Sequence, residues 1–230
     1  MRLQPGWSSN SNGLPPFLVA HRAGNELPAL KAAERLGITH IEADVRLYRK
    51  RLDIRHLKTV GPLPIYWDRW LLEAPWRPRL ELHELLEATA PDTELVLDLK
   101  GRRVPLAERV LETIAPYLAA RRFTVCARNW NVLEPFAGTA VRSVHSVGST
   151  RQLRELLRRF AGDQLEGVSI HERLLDAESV AALRAIAKTI MTWPVNRPER
   201  ARELLGLGVD GLITDDAAAI SRADVLGATT

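Results

Sequence analysis

Short apolar, β-branched runs recur along this chain at 17–20, 40–45, 94–99, 123–127, 140–144, 167–170, 188–193 and 210–214. Most show no regular in/out alternation, as expected of strands covered on both faces in a parallel sheet. Between them, helical spacing or helix-friendly composition marks 28–36, 82–89, 106–118, 152–160, 178–187 and 198–205, and the stretch after Arg128 is too short to show a period. The Arg46 to His56 stretch resembles a small hairpin excursion. Eight strands alternating with crossovers predict an α/β protein, a single-domain (β/α)8 TIM barrel over 17–230, preceded by a Ser, Asn, Gly and Pro-rich irregular lead-in over 1–16.

In such a barrel, chemistry collects at the C-terminal ends of the strands. His21 follows the first run, Glu42 and Asp44 end the second, Asp98 and Lys100 end the third, and Trp193 ends the seventh. Strand alternation puts Glu42 with Asp44, and Asp98 with Lys100, on one side of their strands. The hairpin then folds His56 back over the same mouth. Three carboxylates suit a hard divalent ion, Arg22 and Lys100 suit phosphoryl oxygens, and two histidines suit proton transfer in both directions. The bland reading, a floor of salt bridges among Glu42, Asp44, Arg22 and Lys100, is weaker, because burying four charges without a ligand brings little net stability.

With 230 residues, 46% of them hydrophobic, the chain can bury a sizeable core. The opening residues lack a signal-like apolar segment and no run of about 18 apolar residues occurs, so the expectation is a cytoplasmic protein without a stable membrane anchor. Transient contact with lipid is compatible with that expectation. The lone Cys126 excludes an intrachain disulfide and fits a reducing compartment. A net charge of +4 favours anionic small molecules weakly. The Arg pairs at 102–103, 121–122 and 158–159 fall on separate helices or helix ends with no basic run, so no nucleic-acid partner is expected. Oligomeric state is not legible.

Val19-Ala-His21-Arg22, Ile41-Glu-Ala-Asp44-Val45, His56, Leu97-Asp-Leu-Lys100, Thr192-Trp-Pro-Val-Asn196 and Gly208-Val-Asp-Gly-Leu-Ile-Thr-Asp215 together resemble the glycerophosphodiester phosphodiesterase family, from the first strand to the eighth. The resemblance implies that Glu42, Asp44 and Asp98 bind one divalent cation, Mg2+ or Ca2+. It further implies that His21 and His56 are the catalytic pair, that Arg22 and Lys100 hold the phosphate, and that Trp193 lines the pocket. The implied reaction hydrolyses a glycerophosphodiester to an alcohol and glycerol phosphate. The sequence departs from the family's pattern in the compressed His-Arg-Ala-Gly-Asn-Glu-Leu segment, where Glu26 is the nearest acidic match, and in His56-Leu57, which lacks the usual Asp after the histidine. Asp98 stands where Glu is usual. That Asp and a compact loop are also similar to the sphingomyelinase D branch of the superfamily, in which a substrate hydroxyl attacks phosphorus and a cyclic phosphate leaves.

His40 and His83 read as structural or surface groups. His145 and His171 fall at the expected ends of the fifth and sixth strands, where a pocket-rim position and a structural one are both open. Asp216 reads as a helix cap and Asp215 as a peripheral site candidate. Trp67, Trp70 and Trp76 read either as packing under a loop or as a lid or lipid-tail surface. Two functional alternatives accompany the hydrolase: a lyase releasing cyclic phosphate from a lysophospholipid, and a noncatalytic phosphate-ester binder. A barrel isomerase or lyase using Lys100 as a base or Schiff-base lysine leaves the paired histidines unexplained.

Overall fold

The computed structural model describes residues 15–60, 63–68, 71–73, 79–223 and 225–226. Along the chain it has β1 (Phe17–Ala20), α1 (Leu27–Arg35), β2 (His40–Tyr48), β3 (Arg51–Ile54), β4 (Lys58–Val60), β5 (Leu63–Asp68), β6 (Leu71–Glu73), α2 (Leu82–Ala88), β7 (Glu94–Leu99) and α3 (Val104–Ile114). There follow β8 (Phe123–Ala127), β9 (Arg142–Val147), α4 (Thr150–Arg159), β10 (Leu165–His171), α5 (Ala177–Arg184), β11 (Ala187–Trp193), α6 (Pro198–Gly206), β12 (Gly211–Thr214) and α7 (Ala217–Arg222).

Every expected apolar run forms a strand of one sheet, in the order β1-β12-β11-β10-β9-β8-β7-β2, and the β1–β2 pairing closes it into a parallel eight-stranded barrel. Side-chain alternation divides each strand between two cores. Ile41, Val45, Leu95, Leu97, Val125, Val168, Ile170 and Leu212 belong to the large outer core that the helices cover with residues such as Leu30, Val110, Leu156 and Leu204. Val19, Val96, Cys126, Val144, Met191 and Ile213 fill the barrel itself, with Phe17 and Trp193 against them. Each fully buried aliphatic side chain contributes roughly 1.5 to 3 kcal/mol relative to exposure, so the two-sided burial explains why the runs are mostly apolar.

Local chemistry sets the helix starts. Ser149 accepts from the Gln152 amide to cap α4, Asp176 and Ser179 form a capping box on α5, and Asp216 caps α7 through the Ala219 amide, as its position suggested. Proline lies in the first turn of α1, α3 and α6, where its missing N–H has no helical partner to lose.

The expected hairpin is present: β2 runs on past the barrel and turns back as antiparallel β3. Two boundaries differ from the sequence reading. The fifth barrel strand is 142–147 rather than 140–144, and the segment after Arg128 is a 3-10 helix over Trp130–Phe136 with Pro135 inside it. Within 57–80 the chain forms a small antiparallel sheet, β4-β5-β6. Most of the proposed lead-in, the side chain of Trp67, and Trp70 and Trp76 lie outside the described residues. Among those described, no helix is long and apolar enough to cross a membrane.

Candidate active site

Strands β2 and β7 run side by side in register, with Asp44 paired to Asp98, so their inward carboxylates converge. One ligand oxygen from each of Glu42, Asp44 and Asp98 lies within 4.8 Å of the other two. Asp44 is the hub and is fully buried. Its Oδ2 accepts from Nδ2 of Asn25 at 2.8 Å and lies 3.5 Å from Nε of Arg22 and 3.3 Å from Nδ1 of His56. Its Oδ1 is paired with the Lys100 ammonium at 2.8 Å. Lys100 also contacts Asp98.

The electrostatics follow from this crowding. Burial pushes the Asp44 carboxyl up, but His56 and Lys100 outweigh it and hold the group far below the usual carboxylate range. Glu42 goes the other way: burial, then the neighbouring Asp44 charge, push its carboxyl well up, and Lys100 offsets this only in part. Burial lowers the Lys100 ammonium, but Asp98, Asp44 and Glu42 more than reverse that and keep it charged. Of the four charges read as the bland alternative, Arg22 and Lys100 pair with Asp44, and Lys100 also with Asp98, while Glu42 is held by the Arg22 amide.

The compressed first loop explains how His21 and Arg22 arrive. Arg22 takes the left-handed conformation, φ 55°, and its amide donates to Oε2 of Glu42 at 2.6 Å. A side chain with a Cβ rarely holds that backbone, and such strain gathers at functional sites. Gly24 lets the loop lie on β2, since a Cβ there would come within 2.8 Å of the Ala43 side chain. Asn25 then pairs with Asp44 twice, its Oδ1 accepting from the Asp44 amide at 2.8 Å. Glu26 only precedes α1 and joins no site contact.

His21 hydrogen-bonds through Nδ1 to Oδ1 of Asp215 at 2.6 Å, and Asn196 donates to the other Asp215 oxygen at 2.9 Å. Burial raises the Asp215 carboxyl, but Asn196 and His21 bring it below its ordinary value. His56 sits just after β3, as the hairpin reading required, with Nη2 of Arg22 3.1 Å from its Nδ1 and 3.2 Å from its Nε2. Arg46 ties that loop down by donating to the carbonyls of His56 and Lys100. Asp44 thus supplies the carboxylate neighbour that Leu57 cannot.

On the opposite arc of the mouth, Trp193 ends β11 level with His171 at the end of β10, and their rings meet edge to face at 4.9 Å. Arg128, immediately after β8, lies over the Trp193 ring at 5.1 Å. His171 is therefore a rim residue. His145 is not: because β9 extends to Val147, Val144 faces the barrel and His145 faces the helices, against Trp130 and Phe160. His40 stacks on Phe17 with Glu94 nearby, and His83 is exposed in α2, both as expected. Asn25, Arg46, Asn196 and Arg128 were missed from sequence. Asn196 alone left a signal, inside a motif that carried the family resemblance.

The carboxylate set fits a divalent cation. It offers three hard oxygen donors, two of them from buried carboxylates, and the mutual repulsion of Glu42 and Asp44 is what a bound positive ion would relieve.

No family model matches the sequence, and no curated protein is similar to it. Solved structures are similar. An Oleispira antarctica phosphodiesterase in complex with the product sn-glycerol-3-phosphate superposes with a TM-score of 0.73 at 17% identity, over 91% of this chain and 96% of that one. A glycerophosphodiester phosphodiesterase from Thermotoga maritima gives 0.72 at 19% identity, over 91% and 98%. The fold these structures share with this chain is the (β/α)8 barrel. A glycerophosphoryl diester phosphodiesterase domain from Mycobacterium tuberculosis shares the same barrel, with a TM-score of 0.64 at 19% identity over 91% of this chain and 99% of that one.

Proposed function

We propose that this protein is a metal-dependent phosphodiesterase that hydrolyses glycerophosphodiesters to an alcohol and glycerol phosphate. One observation carries the reading: two histidines, each beside its own carboxylate, meet at the mouth with a three-carboxylate cluster and two cations. The shared barrel and the product bound in the Oleispira enzyme support it.

Arg22 and Lys100 bind the charged phosphoryl oxygens. A divalent ion, Mg2+ or Ca2+, held by Glu42, Asp44 and Asp98 would polarise the phosphoryl group and offset its growing charge. With Nδ1 of His21 engaged by Asp215, its Nε2 is left for proton transfer; His56 is positioned by Arg22 and Asp44. One ring takes the proton of the attacking water and the other protonates the leaving alkoxide, a poor leaving group without it. Each such group contributes about 10²- to 10⁴-fold. Trp193 walls the pocket. The single buried cysteine supports a cytoplasmic site of action.

Phosphorus NMR of glycerophosphocholine incubated with the protein, with Mg2+, with Ca2+ and after chelation, tests this beside His21→Ala. Glycerol phosphate formed only with metal and His21 is the expected result. A second reading rests on Asp98 and the compact 57–80 segment: release of a cyclic phosphate from a lysophospholipid, visible as a different phosphorus signal in the same experiment. No turnover of any diester would leave a phosphate-ester binder.

A further inference from the structure

Arg128 has a place in the barrel that the hydrolytic machinery does not use. Asp98 and Cys126 are paired across β7 and β8, so Lys100 and Arg128, two residues further along each strand, stand at the same level of the mouth. Among the described residues Arg128 makes no ion pair, and its guanidinium lies over the Trp193 ring. On its other side it lines a cavity of about 280 Å³ together with Trp130, Asn131, Gln152, Glu155 and Arg159. Arg159 pairs with no carboxylate among the described residues either, its guanidinium lying over Phe160 at 5.3 Å. Two arginines and a single carboxylate, Glu155, leave the lining of this cavity with net positive charge. An arginine held over an aromatic face keeps its planar fork of donors for a carboxylate or phosphate, which it can grip with two parallel hydrogen bonds.

We propose that the cavity beside Arg128 receives the alcohol half of the diester, and that the preferred substrates are those whose alcohol half carries its own anionic group, a carboxylate or a phosphomonoester. The inference rests on the phosphodiesterase reading for the position of the scissile phosphate at Arg22 and Lys100. The charge pattern of the cavity is independent of it. A cationic half such as choline would meet the same two arginines unfavourably.

The test compares kcat/KM for glycerophosphoserine, glycerophosphoinositol 4-phosphate and glycerophosphocholine in the wild type, Arg128→Gln and Arg128→Lys. The expected result is a preference for both anionic diesters over the choline diester that falls about tenfold in Arg128→Gln, chiefly through KM, and recovers in part in Arg128→Lys. Preference for the serine compound alone would assign the site to carboxylates, and for the inositol phosphate alone to phosphomonoesters. An anionic to cationic ratio that is the same in all three proteins overturns the proposal. Calorimetric binding of the same three compounds to His21→Ala separates the two readings. Arg128-dependent binding of the anionic compounds without turnover in the wild type would sink the hydrolase and keep the cavity assignment. Equal binding of all three, with or without Arg128, would sink the assignment whatever the turnover.

Discussion

Nδ1 of His21 and Oδ1 of Asp215 lie 2.6 Å apart across a sequence separation of 194 residues. The contact is a product of barrel closure: Ala20 of β1 is paired with Thr214 of β12, so the residue that follows each strand meets the other. Asn196 locks the carboxylate by donating to Oδ2 and by accepting from the Asp215 amide. A proton-transfer imidazole held in this way has its tautomer and its orientation fixed by the carboxylate. Asp215→Asn should lower kcat on glycerophosphocholine by about 10²-fold with little change in KM. Steady-state kinetics decide it, and an unchanged kcat would reduce the pair to a surface contact.

Cation binding should depend on Asp44 above all, since it is the most deeply buried member of the donor set and the one that Asn25, Arg22, His56 and Lys100 all contact. Calorimetric titration with Mg2+ or Ca2+ should show one ion per chain in the wild type and none in Asp44→Asn. Saturating metal should also raise the unfolding free energy of the wild type, by about 2.7 kcal/mol at a concentration 100 times Kd. If Asp44→Asn takes up the ion as well as the wild type does, the cluster is not the site.

Much of this was legible in the linear pattern. The eight apolar runs became the eight barrel strands because two-sided burial keeps most of their positions apolar, and alternation alone placed Glu42, Asp44, Asp98 and Lys100 inside. What escaped was adjacency between distant segments. Asp215 read as peripheral because nothing local says that β12 closes against β1. Asn25 sat in a loop defined by its departure from a familiar spacing. His145 stayed open between a rim and a structural position because the run was read as ending at 144, whereas β9 continues to Val147 and leaves His145 inside the strand on its outer face.

Asn25 is expected to be a positioning residue for Asp44. Its amide group makes two hydrogen bonds, one to the carboxylate and one from the backbone N–H, each at 2.8 Å. Asn25→Ala leaves both Asp44 groups without that partner in a buried setting, at a cost of about 1 to 3 kcal/mol. It should also weaken cation affinity by about 10- to 100-fold, as loss of a residue orienting a metal ligand does. Urea denaturation and the same calorimetric titration read the two effects separately, and a loss of stability with unaltered cation affinity would mean that Asn25 only holds the loop.

His145 gives the fold its own acid sensitivity, away from the catalytic mouth. Burial first, and the Arg159 charge next, pull its imidazole down to about 4, from 6.5 in an unfolded chain. The folded protein keeps the ring neutral, against Trp130 and Phe160, while the unfolded chain protonates it. Between those two values the unfolded state binds more protons, so this contribution is complete above about pH 6.5, falls as pH drops, and levels off below about 4. Its full size is at most about 3 kcal/mol. His145→Phe keeps an aromatic ring in the same place and removes the titration. Urea denaturation at pH 7 and pH 4.5 should therefore show a smaller acid loss in the variant than in the wild type, by about 2 kcal/mol. Equal losses in the two proteins would assign the acid sensitivity to the carboxylates instead.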